Sequence, residues 1–116
     1  MIGDGSIILP GAIVHTGAML GEGVLINLQA IVHHDAVLDD YVTVSPQAQV
    51  CGRCHVGEGS LVAVRACLMF PHTMGKNAIL GADAVAFRPI PDNELWVGSP
   101  ALFHAMVDNV TWSRCF

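Results

Sequence analysis

A chain of 116 residues has room for one domain and none for a second catalytic or substrate-binding domain. It is 53% apolar, yet Gly, Asp, His or Pro breaks every apolar run well short of the ~20 residues that a bilayer span needs, which excludes a membrane-spanning helix. A formal net charge of −5 argues against nonspecific nucleic-acid binding.

The opening stretch, Met1–Pro10, lacks a basic region followed by a long apolar core, so it does not read as a signal peptide, and a cytoplasmic location is expected by default. Cys51, Cys54, Cys67 and Cys115 are accordingly expected to be reduced thiols. Charge is unevenly spread. Residues 1–52 carry Asp4, Glu22, Asp35, Asp39 and Asp40 with no Lys or Arg, whereas 53–88 carry Arg53, Arg65, Lys76 and Arg88 against Glu58 and Asp83. A phosphate-bearing ligand is therefore expected toward the C-terminal half, near Arg65, Lys76 and Arg88.

From Ile2 to Pro91 the period is six. Ile2, Ile8, Val14, Leu20, Ile26, Val32, Leu38, Val44, Val50, Val56, Val62, Leu68, Met74, Leu80 and Ala86 are all apolar, and four residues after each stands, with two exceptions, Ala, Ser, Val or Cys. Six matches neither the 3.6-residue helix nor simple strand alternation. It fits a short strand and a tight turn, repeated: the aliphatic points inward, the small residue fits where the chain turns, and Gly, Asp or Asn accepts the turn's backbone angles. Three units close a coil of 18 residues, so 2–91 gives about five coils of parallel β-helix. The expected division is a β-helix over 1–91 and a closing loop and tail over 92–116.

Residues 18 apart stack in columns, so His34 has Thr16 below it and Gly52 above, and Asp35 lies between Gly17 and Arg53. The pair His34-Asp35 is the most chemical feature of the chain. An imidazole with a pKa near ~6.5 accepts a proton at neutral pH, and a neighbouring carboxylate supports it in that role. Gly52 offers open space and an approachable backbone N–H, as a thioester carbonyl needs.

Other motifs weigh less. Cys51-Gly52-Arg53-Cys54 is a C-x-x-C that introduces no helix, unlike a thioredoxin-type redox site. The His15, His33 and Cys51 column has soft-metal ligand types. His72 occupies a small-residue position and predicts a local bulge near Phe70-Pro71. Between Phe103 and Phe116 the chain fits a short helix or an irregular tail equally well.

The hexad pattern resembles the hexapeptide-repeat acyltransferases, whose β-helix is left-handed although parallel crossovers in general are right-handed. Val97-Gly98-Ser99-Pro100-Ala101 resembles the V-x-G-x-P-A closing loop of that superfamily, with Leu102 where a Lys is usual. Ile26-Asn27 through His34-Asp35, Val44-Ser45-Pro46, Cys51-Gly52 and Ile79-Leu80-Gly81-Ala82 resemble the bacterial sugar O- and N-acetyltransferases of the sialic-acid and bacillosamine pathways. That resemblance implies an acetyl-CoA-dependent acetyltransferase with acetyl-CoA as co-substrate and no metal. It implies His34 as general base, Asp35 as its tuner, Asn27 near the acceptor, and Thr43, Gly52, Val64 and Ala82 against CoA. Thr43 stands where a His is common and Ala82 where a Gly is common. Members of the family usually carry an N-terminal Rossmann-like domain, and this sequence starts inside the first coil. The acceptor implied is an amino or hydroxyl group of a sugar or nucleotide-linked sugar.

Two alternatives belong to other classes. A non-catalytic β-helix scaffold is compatible with the repeat alone. A γ-type carbonic anhydrase shares the fold but requires two histidines five positions apart, and the positions five after His33 and His34 are Leu38 and Asp39. A thin prism with so much apolar residue leaves apolar side chains outside, with Leu25, Ile31, Leu61 and Met69 as candidates. A homotrimer with shared active sites is the expected assembly.

Overall fold

The structure, a computed structural model, describes residues 1–109. Fourteen two-residue strands follow at six-residue intervals: β1 (Ile7–Ile8), β2 (Ile13–Val14), β3 (Met19–Leu20), β4 (Leu25–Ile26), β5 (Ile31–Val32), β6 (Val37–Leu38), β7 (Thr43–Val44), β8 (Gln49–Val50), β9 (His55–Val56), β10 (Leu61–Val62), β11 (Cys67–Leu68), β12 (Thr73–Met74), β13 (Ile79–Leu80) and β14 (Val85–Ala86). Each pairs in parallel with the strand three places away, 18 residues along, as in Ile7↔Leu25 and Leu61↔Ile79. Three faces result: β1, β4, β7, β10 and β13 form the first, β2, β5, β8, β11 and β14 the second, and β3, β6, β9 and β12 the third. The fold is an all-β parallel solenoid of about five turns, consistent with the left-handed β-helix that the resemblance implies.

Each strand turns one residue in and one out. The inward set from Ile26 through Leu80 is buried, and so are the small corner residues Ala30, Ala36, Ala48, Cys54, Ala66, Ala78 and Ala84. Ser60 serves at such a corner because its hydroxyl is satisfied there: it donates to the Gly75 carbonyl at 2.6 Å and accepts from the Ala78 N–H at 3.0 Å. The residue before each small one adopts positive φ, at Gly5, Gly11, Gly17 and Gly23 and then at non-glycine residues including Gln29, Asp35, Gln47, Arg53, Arg65 and Asp83. Such a conformation costs an ordinary residue roughly 1–2 kcal/mol, so the cooperative ladder imposes it.

Beyond the repeat, β15 (Glu94–Val97) adds to the first face beside β13, and β16 (Leu102–Met106) returns antiparallel to it before a short 3-10 helix, Val107–Asn109. Residues 103–106 are thus strand rather than helix or irregular tail, because the first face offers them an open edge. Val107–Asn109 do form a short helix, one of the two forms expected there, and 110–116 lie outside the described residues. Trp96 continues the inward row above Leu80 and covers the top of the core. Leu95 continues the outward row and, with Leu61, Ala63, Ile79 and Val107, forms a second apolar cluster on the outside of the prism. Leu61 is therefore buried by the chain's own C-terminal segment and is not free for a partner. The bulge expected at His72 does not occur either. Thr73 still pairs with His55, and His72 sits half-buried with its N–H on the Met69 carbonyl, so the 18-residue register passes through unchanged.

Candidate active site

The turn from β5 to β6 carries His34 and Asp35 on the edge between the second and third faces. Ladder bonds fix it from both sides: Asp35 N–H donates to the Thr16 carbonyl and Arg53 N–H to the His34 carbonyl. Positive φ at Asp35 turns its carboxylate back along the edge, where Oδ2 lies 3.3 Å from His34 Nδ1. A proton on Nδ1 shared with the carboxylate leaves Nε2 with its lone pair directed outward, the tautomer a general base requires. The two side chains are 50% and 55% exposed, so in one copy the pair stands in open solvent.

Gly52 lies one coil above on the same edge, and here the expectation of open space needs correction. A methyl group at position 52 would stand 2.5 Å from His34 Nε2 and 2.7 Å from Cε1. The imidazole itself fills the space left by the missing side chain, because the edge column brings position 34 directly beneath 52. Nε2 and the Gly52 backbone consequently border the same small volume. Gly17, one coil below, performs a similar service, since a Cβ there would overlap the Asp35 carboxylate.

The other sequence candidates lie elsewhere. Asn27 follows β4, Val64 follows β10 and Ala82 follows β13, all on the edge between the first and second faces, while Thr43 opens β7 on the first face. One chain therefore gathers His34, Asp35 and Gly52 on one edge, and Asn27, Val64 and Ala82 on another, with the whole second face between them. The basic trio is dispersed further. Arg65, Lys76 and Arg88 occupy three different edges, because their spacings are not multiples of 18. Arg65 is also neutralised by Asp83, with contacts of 2.7 and 3.0 Å, and Arg88 lies over the Trp96 ring at 5.7 Å. The Arg65 hydrogen bond holds the Asp83 carboxyl below its ordinary range.

Diagonal pairs 16 residues apart were missed in the sequence. A residue just after one strand meets the outward residue of the next coil's strand, which joins Asp39 to His55 (2.9 Å), His33 to Gln49 (2.9 Å) and Cys51 to Cys67 (3.6 Å). The offset follows from the period, 18 less 2, and would have found all three. Asp39–His55 faces a groove of about 390 Å³ on the third face, lined also by Thr73, Lys76 and Asp92. His15 stacks on His33 with ring centroids 5.3 Å apart.

No protein-family model and no curated protein sequence matches the chain. Solved structures do. The acetyltransferase domain of PglB from Neisseria gonorrhoeae FA1090, in complex with acetyl coenzyme A, is similar over 89% of this chain and 51% of its own, at 36% identity and a TM-score of 0.87. PerB from Caulobacter crescentus, in complex with CoA and GDP-perosamine, is similar over 86% and 57%, at 26% identity and a TM-score of 0.70. The UDP-N-acetylglucosamine O-acyltransferase of Moraxella catarrhalis RH4 shares the fold over 99% and 48%, at 17% identity and a TM-score of 0.91. The chain spans about half the length of these structures. Its structural neighbours are hexapeptide-repeat acetyltransferases, and the resemblance drawn from the sequence is borne out.

Proposed function

We propose that this chain is an acetyl-CoA-dependent acetyltransferase that modifies an amino or hydroxyl group of a sugar, most readily a nucleotide-linked amino sugar, in the cytoplasm where acetyl-CoA is made. The observation that carries the reading is the His34 imidazole, oriented through Nδ1 by Asp35 and leaning over Gly52. Nε2 takes a proton from the acceptor nitrogen or oxygen as that atom attacks the acetyl carbonyl. The carbonyl oxygen gains negative charge and the Gly52 N–H is the nearest backbone donor to meet it. Collapse breaks the carbon–sulfur bond, the leaving sulfur takes the proton from His34 Nε2 so that CoA departs as its thiol, and the acetyl group passes straight from sulfur to acceptor.

Asn27, Thr43, Val64 and Ala82 take the acceptor and CoA from a neighbouring copy in this reading. Two edges bounding one face meet only if those faces are turned inward about a symmetry axis, and three copies close such a ring. The second face suits that role: its outward row, Ile13, Ile31, Gln49, Cys67 and Val85, is without charge. The first face is covered in its upper part by Leu95 and Val107, and the third carries His55 and Thr73.

The test is acetyl-CoA consumption with a panel of nucleotide-linked amino sugars, read by release of the CoA thiol. Acetyl-CoA alone should raise the melting temperature, as a ligand of the folded state does. Light scattering should give about three times the 12.3 kDa chain mass. Mixing an inactive His34→Ala chain with an inactive Val64→Arg chain should restore some activity. Absence of any melting shift at saturating acetyl-CoA would remove the reading.

A further inference from the structure

Beside the His34 edge, on the second face, three sulfur atoms stand together. Cys51 lies just after β8, Met69 lies one coil above it in the same column, and Cys67 is the outward residue of β11. Cys67 Sγ is 3.6 Å from Cys51 Sγ and 3.6 Å from Met69 Sδ. All three side chains are half-buried, so an ion reaching them leaves most of its water behind. We propose that Cys51, Cys67 and Met69 form a binding site for a soft monovalent metal ion of the Cu(I) class.

The geometry and chemistry both lead there. With metal–sulfur bonds of roughly 2.3 Å, two sulfurs 3.6 Å apart subtend roughly 100° at the ion, close to a tetrahedral angle, and Cys67 stands at that separation from both other sulfurs. Two thiolates and a thioether select Cu(I) over hard cations, which want oxygen. Among the described residues no three His, Cys, Asp or Glu side chains converge, and the thioether is what completes this set. Cys54 is not a member: it is buried inward, with its thiol directed at the Leu68 and Met69 carbonyls. The His15–His33 column is likewise occupied, by its own stacking and by Gln49.

The two cysteines bind a metal as thiolates, so their protons must first leave. A thiophilic ion replaces them: M⁺ with two thiols gives a bis-thiolate–thioether complex and releases two H⁺, with no change of oxidation state. Cys51 is joined directly to Gly52, so the ion would sit one residue from the turn beneath which His34 lies. The site does not depend on the acetyl-transfer reading.

The full chain, anaerobic and reduced, would be titrated with Cu(I) against a chromophoric chelator, and with Ag(I) as a redox-inert check. Because the second face turns inward in the proposed trimer, the titration would be repeated with the ion present during refolding. One ion per chain and two protons released per ion are expected. Cys51→Ser and Cys67→Ser should each weaken binding at least about 100-fold and Met69→Leu about tenfold, while Cys54→Ala and Cys115→Ser leave it unchanged. If Cys51→Ser does not fold, Cys51→Ala takes its place. Wild-type affinity in the Cys51→Ser/Cys67→Ser chain, dependence on Cys115, or no binding under either protocol would overturn the site.

Discussion

The two edges that bound the second face share one backbone and differ almost wholly in side chains. On one, the turn residues are His34 and Asp35 with Gly17 below and Gly52 above. On the other they are Val64 with Arg65 and Ala82 with Asp83, a charge pair that cancels itself. Turns on both edges repeat the same positive-φ geometry at their second residue, as Asp35, Arg65 and Asp83 all show near +58°, and the Phe70-Pro71 turn departs from it with a cis peptide. Chemistry on this scaffold therefore comes from which side chains occupy equivalent turns and from where glycine leaves room. The His34 edge is an imidazole–carboxylate pair between two glycines, and the opposite edge presents Val64 and Ala82 beside the Arg65–Asp83 pair.

The largest effect should come from the His34 edge. His34→Ala is expected to reduce turnover about 10²–10⁴-fold, with acetyl-CoA still raising the melting temperature as in the parent chain. Undiminished turnover would take His34 out of the mechanism. Next comes Gly52→Ala, whose methyl would strike the ring at Nε2; turnover should fall about 100-fold through misplacement, and Gly52→Ala combined with His34→Ala should be little worse than His34→Ala alone. Additive losses would mean that Gly52 acts independently of the ring.

On the other edge the effects are smaller. Arg65→Glu should weaken CoA about tenfold, the size of one charge-assisted contact, whereas Lys76→Glu, on a different edge, should not. Equal losses from both would return the phosphate to a diffuse basic field. The least effect belongs to Asp83→Asn in stability. The folded carboxyl is held below its ordinary range by Arg65, so its contribution is full above the unfolded-state pKa and fades as pH falls through the folded value. The variant should melt slightly below the parent at neutral pH and match it in acid. A gap that widened on acidification would contradict the pairing.

How much of this the sequence carried can be judged at particular residues. The period of six located the fourteen two-residue strands of the repeat, and the coil of 18 correctly set Gly52 over His34 and Arg53 over Asp35. That arithmetic also held the dispersal of Arg65, Lys76 and Arg88 and the 16-residue diagonals, although charge proximity along the chain suggested a single patch. Leu61 was legible only as an outward residue, because what covers it, Leu95 and Val107, lies beyond the repeat and pairs through a strand with no hexad signature. The contact of the His34 ring with Gly52 depends on a side-chain torsion, which no spacing encodes. Glycine there was read as vacancy, when it is accommodation.

Because each coil is one turn of a screw, the sequence has a phase as well as a length. An insertion of 18 residues keeps phase: it lengthens the prism by about 4.8 Å and leaves every column intact except at the splice. An insertion of six keeps the hexad pattern and the inward row, yet rotates all that follows by one face. Placed between His34 and Pro46, it would bring position 46, Pro46, above the imidazole and send Gly52 to another edge. Such a variant should fold with an unbroken core and have no functioning edge, so that folding and activity read different harmonics of one repeat.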